Sequence, residues 1–199
     1  MTAARNIEEM EFRELDIKGV WLIKPQRYGD SRGYFSETWK QQEFEDHVGK
    51  VSFVQDNESL STYGVLRGLH LQRGEWSQAK LVRVSRGKVL DVALDLRHGS
   101  PTWGQHVAVE LSHEGGEQLF IPRGFAHGFV VLSDIAQFQY KVDNVYAPKS
   151  ELTICFDDPD LGINWQISPD EMLLSEKDKD GIKLKNIKSF ELWQKSLFV

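Results

Sequence analysis

The feature that most constrains this chain is a succession of short apolar runs. Glycine, proline, asparagine or aspartate punctuates each of them. Val20-Trp-Leu-Ile is closed by Pro25, and Val51-Ser-Phe-Val-Gln follows. Lys80-Leu-Val-Arg-Val-Ser turns at Gly87 into Lys88-Val-Leu-Asp-Val-Ala-Leu-Asp, and Gln105-His-Val-Ala-Val-Glu-Leu turns at Gly115-Gly116. Gln118–Ile121, Gly128–Leu132, Gln137–Val142 and Glu151–Phe156 complete the set. Several alternate apolar and polar residues, which is the period of a half-buried strand rather than of a helix. With strand plus turn recurring about every 8–15 residues, the pattern predicts a β-sandwich or barrel and excludes a βαβ fold. Helical spacing is scarce. Glu37–His47 is the best candidate, a second lies over Asn186–Gln194, and the charge-rich stretch 175–188 reads as a solvated surface excursion.

The 199 residues show no internal repeat and suit one domain with short N- and C-terminal extensions. Eleven Phe, six Trp and five Tyr are far more than a disordered chain carries. No apolar run approaches membrane-spanning length, and the acidic N-terminus lacks the apolar stretch of a signal peptide. One cysteine, Cys155, excludes an intramolecular disulfide framework; it reads as a small buried hydrophobe, and a cytoplasmic location is expected. A net charge of −6 argues against broad nucleic-acid binding but leaves room for local basic pockets.

Two polar clusters interrupt the apolar pattern. In Val65-Leu-Arg-Gly-Leu-His-Leu-Gln, alternation places His70 and Gln72 on one strand face. A single strand histidine suits a packing role as readily as a chemical one. In Ile121-Pro-Arg-Gly-Phe-Ala-His-Gly-Phe, the Pro-x-Gly-x-x-His spacing matches the second half of the cupin double motif. The first half of a metal-binding cupin needs His-x-His, and here it reads His70-Leu71-Gln72, one ligand short. The other histidines (47, 98, 106 and 113) show no ligand spacing, so no metal and no cofactor are expected. In Phe138-Gln-Tyr-Lys-Val, Phe138 and Tyr140 share a face, and Tyr140 on its own reads as a core aromatic. Lys80 shares a face with Val82 and Val84. It therefore either snorkels from a strand end or stands in a functional cavity. No Walker loop, GxGxxG, GxSxG or HExxH occurs.

Eight strings in order carry a family resemblance: GDSRGYFSE (29–37), FVQDN (53–57), VLRGLHLQRG (65–74), AKLVRV (79–84), DVALDLR (91–97), SPTWGQ (100–105), IPRGFAHGF (121–129) and LSEKD (174–178). Over about Val20 to Asp178 the chain resembles the dTDP-4-dehydrorhamnose 3,5-epimerase family. The resemblance implies an all-β, cupin-type jelly-roll barrel with a few short peripheral helices. It also implies metal-independent inversion of the two carbons flanking a dTDP-4-keto-6-deoxy sugar's ketone. By motif position, His70 would be the base, Asp178 its orienting partner, Lys80 the stabiliser of the enolate oxygen and Tyr140 the acid on the opposite face. A charged lysine nearby would favour the phenolate.

The same resemblance assigns substrate contacts to Arg32, Glu37, Gln55, Asp56, Asn57, Arg67, His127, Glu151 and Lys177, with Tyr146 stacking on thymine. Glu37, Asp56 and Glu151 also suit turn or salt-bridge roles. A homodimer is implied, with N-terminal strands exchanged and residues near Arg32 completing the partner's site. Competing readings are a single-carbon epimerase of a related sugar, a metal-dependent cupin, and a non-catalytic sugar-nucleotide binder. The retained set His70, Lys80, Tyr140 and Asp178 speaks against the last. Three features depart from the family: Gln166 where proline is frequent, Ile154-Cys-Phe for a tryptophan pattern, and unmatched ends over the first 15 residues and from Lys183 onward.

Overall fold

The computed structural model describes residues 10–187. Thirteen strands and two short helices occupy them: β1 (Glu11–Glu14), β2 (Trp21–Lys24), β3 (Arg27–Asp30), β4 (Gly33–Ser36), α1 (Gln41–His47), β5 (Gln55–Thr62), β6 (Leu66–Gln72), β7 (Lys80–Arg86), β8 (Lys88–Asp95), β9 (His106–Ser112), β10 (Gln118–Ile121), β11 (Phe125–Val131), β12 (Ile135–Val142), β13 (Glu151–Thr153) and α2 (Glu176–Lys179). Six strands form one sheet in the order β1-β2-β10-β7-β12-β5, five form a second in the order β13-β6-β11-β8-β9, and β3-β4 is a separate hairpin. From β5 to β8, and again from β9 to β13, successive strands alternate between the two sheets, which is a jelly roll. The fold class expected from the sequence is the one observed.

Between the sheets lies a core of Val82, Val84, Leu119 and Phe138 from one side and Val89, Ala93, Leu111 and Phe129 from the other. A second cluster covers the outer face of the five-stranded sheet. There Leu66, Leu69, Leu90, Val92 and Val130 pack beneath Ile154, Leu161 and Trp165 of the C-terminal segment. Strands β8 and β11 are therefore buried on both faces, which is why their sequences run apolar without clean alternation. On the six-stranded sheet, Phe44 of α1 packs with Ile23, Leu81 and Phe120. Among the described residues no helix is long and apolar enough to cross a membrane.

Several expectations move. The run Val51–Gln55 is not a strand: residues 51–54 lie before β5, and Val51 and Phe53 pack against the α1 cluster. The strand itself is the polar segment Gln55–Thr62, an edge strand facing a cavity on one side and solvent on the other. The helix expected from Glu37 begins only at Gln41, and the strand expected to reach Phe156 ends at Thr153. The stretch 175–188 is not simply solvated, for it contains α2 and the buried Asp178. Cys155 is only half-buried, its thiol donating to Asp157 Oδ1. Gln166 takes φ 65°, a value closed to proline, with its N–H held by Asn164 Oδ1. The helix expected over Asn186–Gln194 falls almost wholly outside the described residues; Asn186 itself ends a 3-10 turn.

Candidate active site

A cavity of about 450 Å³ opens between the sheets at the end where β5, β6 and β12 meet. His70, Lys80, Tyr140 and Asp178 all line it. So do Gln55, Asn57, Arg67 and His127, and Tyr146, Glu151 and Lys177 stand in its wall as well. Eleven residues scattered over more than 120 positions of sequence thus converge on one space.

Strand β6 delivers two of them through an irregularity. Strict alternation would put Arg67 and His70 on opposite faces. Against β11, however, His127 opposes His70 and Phe129 opposes Arg67, so two steps on β11 match three on β6. This bulge turns Arg67 and His70 to the same inner face, a use for which bulges are well suited. Gly68 makes it sterically accessible: φ is +132°, and a Cβ there would lie 2.5 Å from Gly128 Cα. Its N–H, in turn, donates to Asp178 Oδ1 at 3.2 Å.

His70 Nε2 lies 2.7 Å from Asp178 Oδ1. The approach is off the ring's N–H axis, so the contact is an ion-pair approach rather than an aligned hydrogen bond. Asp178 Oδ2 accepts from Ser175 Oγ at 2.5 Å. Burial alone would raise this carboxyl, but His70, Ser175 and the Gly68 N–H outweigh it and hold it down to about 2. Asp178 is therefore an anion throughout the working pH range.

A second histidine–aspartate pair lies beside the first. His127 Nε2 is 2.9 Å from Asp91 Oδ2, both side chains are buried, and Asp91 Oδ1 has no hydrogen-bond partner among the described residues. Burial pushes His127 below its ordinary value, with Asp91 pulling the other way. Lys80, the first residue of β7, enters the cavity at its strand end. Burial pulls its ammonium down to about 8, while Asp91 and Glu151 oppose that fall. Asp91 opens the string DVALDLR but was assigned no site role, although an aspartate inside the buried run Val-Leu-Asp-Val-Ala-Leu was a visible signal.

His70 comes from the five-stranded sheet and Tyr140 from the six-stranded one, so the two side chains enter the cavity from facing walls. Burial raises the Tyr140 phenol; Arg67 offsets part of this and Glu151 adds to it. The cation acting on Tyr140 is thus Arg67 rather than the lysine expected, and the net effect favours the neutral phenol over the phenolate. At the mouth Tyr146 is 53% exposed, and its hydroxyl donates to Glu151 Oε2 at 2.8 Å. Lys177 pairs with the other Glu151 oxygen at 2.5 Å. Burial would raise Glu151, but Lys177 and Tyr146 leave it lowered.

Three expected contacts stand elsewhere. Asp56 alternates with Asn57 onto the outer face of the six-stranded sheet, where it pairs with Lys141 at 2.7 Å. Arg32 and Glu37 are exposed near the β3-β4 hairpin, with Arg32 bound to Asp30. Among the described residues no group of three His, Cys, Asp or Glu side chains is placed to hold a metal ion.

A base paired with a carboxylate, a cation between the walls and a phenol opposite can move protons on the two faces of one ring. The comparisons agree with that chemistry. The family model for dTDP-4-dehydrorhamnose 3,5-epimerase matches residues 14–186. A Pseudomonas aeruginosa dTDP-4-dehydrorhamnose 3,5-epimerase is 52% identical over 173 residues, 86% of this chain and 94% of that protein. The crystal structure of the Elizabethkingia anophelis enzyme of that name matches with TM-score 0.85 and 49% identity, covering 88% of this chain and 97% of that one. A dTDP-6-deoxy-D-glucose-3,5-epimerase of Legionella pneumophila, in complex with dTDP-4-keto-L-rhamnose, matches with TM-score 0.89 and 45% identity over 94% of this chain and 98% of that one. Fold, cavity and half of all aligned positions lead to the same place, and the chain belongs to the dTDP-4-dehydrorhamnose 3,5-epimerase family.

Proposed function

We propose that this protein is an isomerase that inverts carbon-3 and carbon-5 of dTDP-4-dehydro-6-deoxy-D-glucose, giving dTDP-4-dehydro-L-rhamnose. The observation that carries the reading is the entry of His70 and Tyr140 from facing walls of one cavity, with Lys80 in the same space. His70 removes the proton α to the ketone. The C–H electron pair forms the enolate double bond, and the carbonyl pair moves onto oxygen. Lys80 holds that oxyanion, and Asp178 stabilises the imidazolium. Tyr140 then gives its proton to the other face as the ketone reforms, and solvent resets the two groups before the second carbon reacts. Arg67, His127 and the Glu151–Lys177 pair hold the sugar nucleotide, and Tyr146 offers its exposed ring to the base.

Proton NMR in heavy water tests this. Deuterium entering both carbons, with reduction of the product trapping dTDP-L-rhamnose, is the expected result. Exchange at one carbon only would move the protein to a single-carbon epimerase. No exchange in metal-free and metal-supplemented samples alike would sink the reading, and exchange only with stoichiometric metal would replace it with a metal-dependent cupin. In Tyr140→Phe, net inversion is expected to fall further than deuterium uptake, because only the returning proton is lost. Equal losses would remove tyrosine from the acid role.

The β3-β4 hairpin supports a homodimer. It exposes Tyr34 and Phe35, the latter 69% exposed, more aromatic surface than a small hairpin usually leaves in water. Seated on a second copy, it would bring Arg32 and Glu37 toward that copy's cavity, and β5 offers an open sheet edge beside Gln55 and Asn57. Light scattering is expected to return twice the 22.9 kDa chain mass. A fully active monomer would overturn the arrangement.

A further inference from the structure

The charge-rich segment before α2 supplies more than a connection. Ser175 is the N-cap of a four-residue helix, and its Oγ does two things. It accepts from the Asp178 N–H at 3.3 Å and donates to Asp178 Oδ2 at 2.5 Å. One hydroxyl proton and two lone pairs allow both at once. Asp178 Oδ1 meanwhile faces His70 and takes the Gly68 N–H. Each oxygen of the carboxylate therefore has its own fixed donor, and the one turned to His70 cannot exchange with the other without breaking the Ser175 bond.

We propose that Ser175 is a positioning residue for proton abstraction: its hydroxyl clamps Asp178 Oδ2 so that Oδ1 is presented to the His70 imidazole. This deepens the epimerase reading and rests on it. A helix of four residues has little stability of its own, so the clamp and the cap together fix where Asp178 stands. A charge-assisted O–H···O⁻ bond of this length is among the stronger hydrogen bonds a side chain makes. The charged and titratable groups around His70 are Arg67 of its own strand, Lys80 of β7, His127 of β11 and Tyr140 of β12. Glu151 of β13, with Lys177 and Asp178 of α2, completes them. Of these only Asp178 touches Ser175.

The test is steady-state turnover with Ser175→Ala, Ser175→Gly and Ser175→Thr. Alanine and glycine both remove the donor, but glycine gives up much less of the capping than alanine does. Both are expected to lower kcat by about 10- to 100-fold, the scale of a misplaced catalytic group. KM should stay near its original value. Threonine keeps donor and cap and should restore most of the rate. If alanine does not fold, glycine carries the same readout. Wild-type turnover in the glycine variant, or an equal rise in KM with kcat unchanged, would overturn the assignment. So would a threonine variant as slow as alanine, since packing rather than the hydroxyl would then be responsible. Wild-type deuterium uptake is measured in the same series: its absence defeats the epimerase reading, whereas its presence with an indifferent Ser175 defeats this inference alone.

Discussion

Deuterium uptake at both carbons flanking the ketone is expected to collapse together in His70→Ala, by about 10²–10⁴-fold, the usual contribution of a positioned general base. Each imidazole in the cavity meets a carboxylate from another element, and the more accessible of the two is His70, paired with Asp178 of α2 and 23% exposed against 7% for His127. The other histidine there, His127, is buried against Asp91, and burial biases it toward the neutral ring. His70→Ala therefore separates the two pairs. Uptake that survives at either carbon would mean that a second base, with His127 the first suspect, serves that carbon. Asp178→Asn should be milder, because the amide fills the same space and its one oxygen can still accept the Gly68 N–H while its NH2 turns to Ser175 Oγ as a donor. What it loses is the charge behind the imidazolium. The sign of the pH dependence follows from the Asp178 carboxyl being held at about 2. Its ionised form contributes stability above the unfolded carboxylate value and loses it only as pH falls through about 2. An acid limb in the neutral range therefore does not belong to Asp178.

The jelly roll was legible because its inner faces obey a two-residue period over β7, β9 and β12. It was least legible where a second layer or a cavity replaces one partner face. β8 and β11 are buried twice and lose their alternation, and β5 is polar because one of its faces lines the cavity. Within the site, Lys80 and Tyr140 stand on regular strands, so alternation about their valine and phenylalanine neighbours aimed them correctly. Arg67 needed the β6 bulge to join His70, and a bulge is a property of a strand pair, invisible in one strand's pattern. Asp56 shows the converse. It adjoins two cavity residues in sequence, and the pleat alone sends it to the far side of the sheet. Asp178 sits in a run of charges whose composition suggests only solvation, and its burial comes from α2 packing on β6, where Gly68 meets it across the fold while Ser175 holds it locally.

Lys80→Met is expected to lower turnover by about 10²–10³-fold, the cost of removing one donor from a developing oxyanion. The same substitution should raise the melting temperature, and the pair of outcomes follows from one cause. An ammonium held at about 8 inside the cavity is there against a desolvation penalty that Asp91 and Glu151 offset only in part. Between about 8 and the unfolded lysine value near 10.4, the unfolded chain binds more protons than the folded one, so wild-type stability rises with pH across that window. Methionine fills the stem's volume without the charge, removing both the penalty and the slope. For a chain of this size each kcal/mol recovered raises Tm by about 2–4 °C. In the wild type, kcat/KM should fall as pH rises through about 8, as the ammonium that would hold the enolate oxygen is lost. Tyr140 does not account for that limb, because burial moves its titration up, away from it. Residual activity in Lys80→Met should therefore be flat through pH 8. A limb that persists there, or a variant that melts lower and turns over normally, would place the oxyanion's partner elsewhere in the cavity, where Arg67 and Lys177 are the other cations.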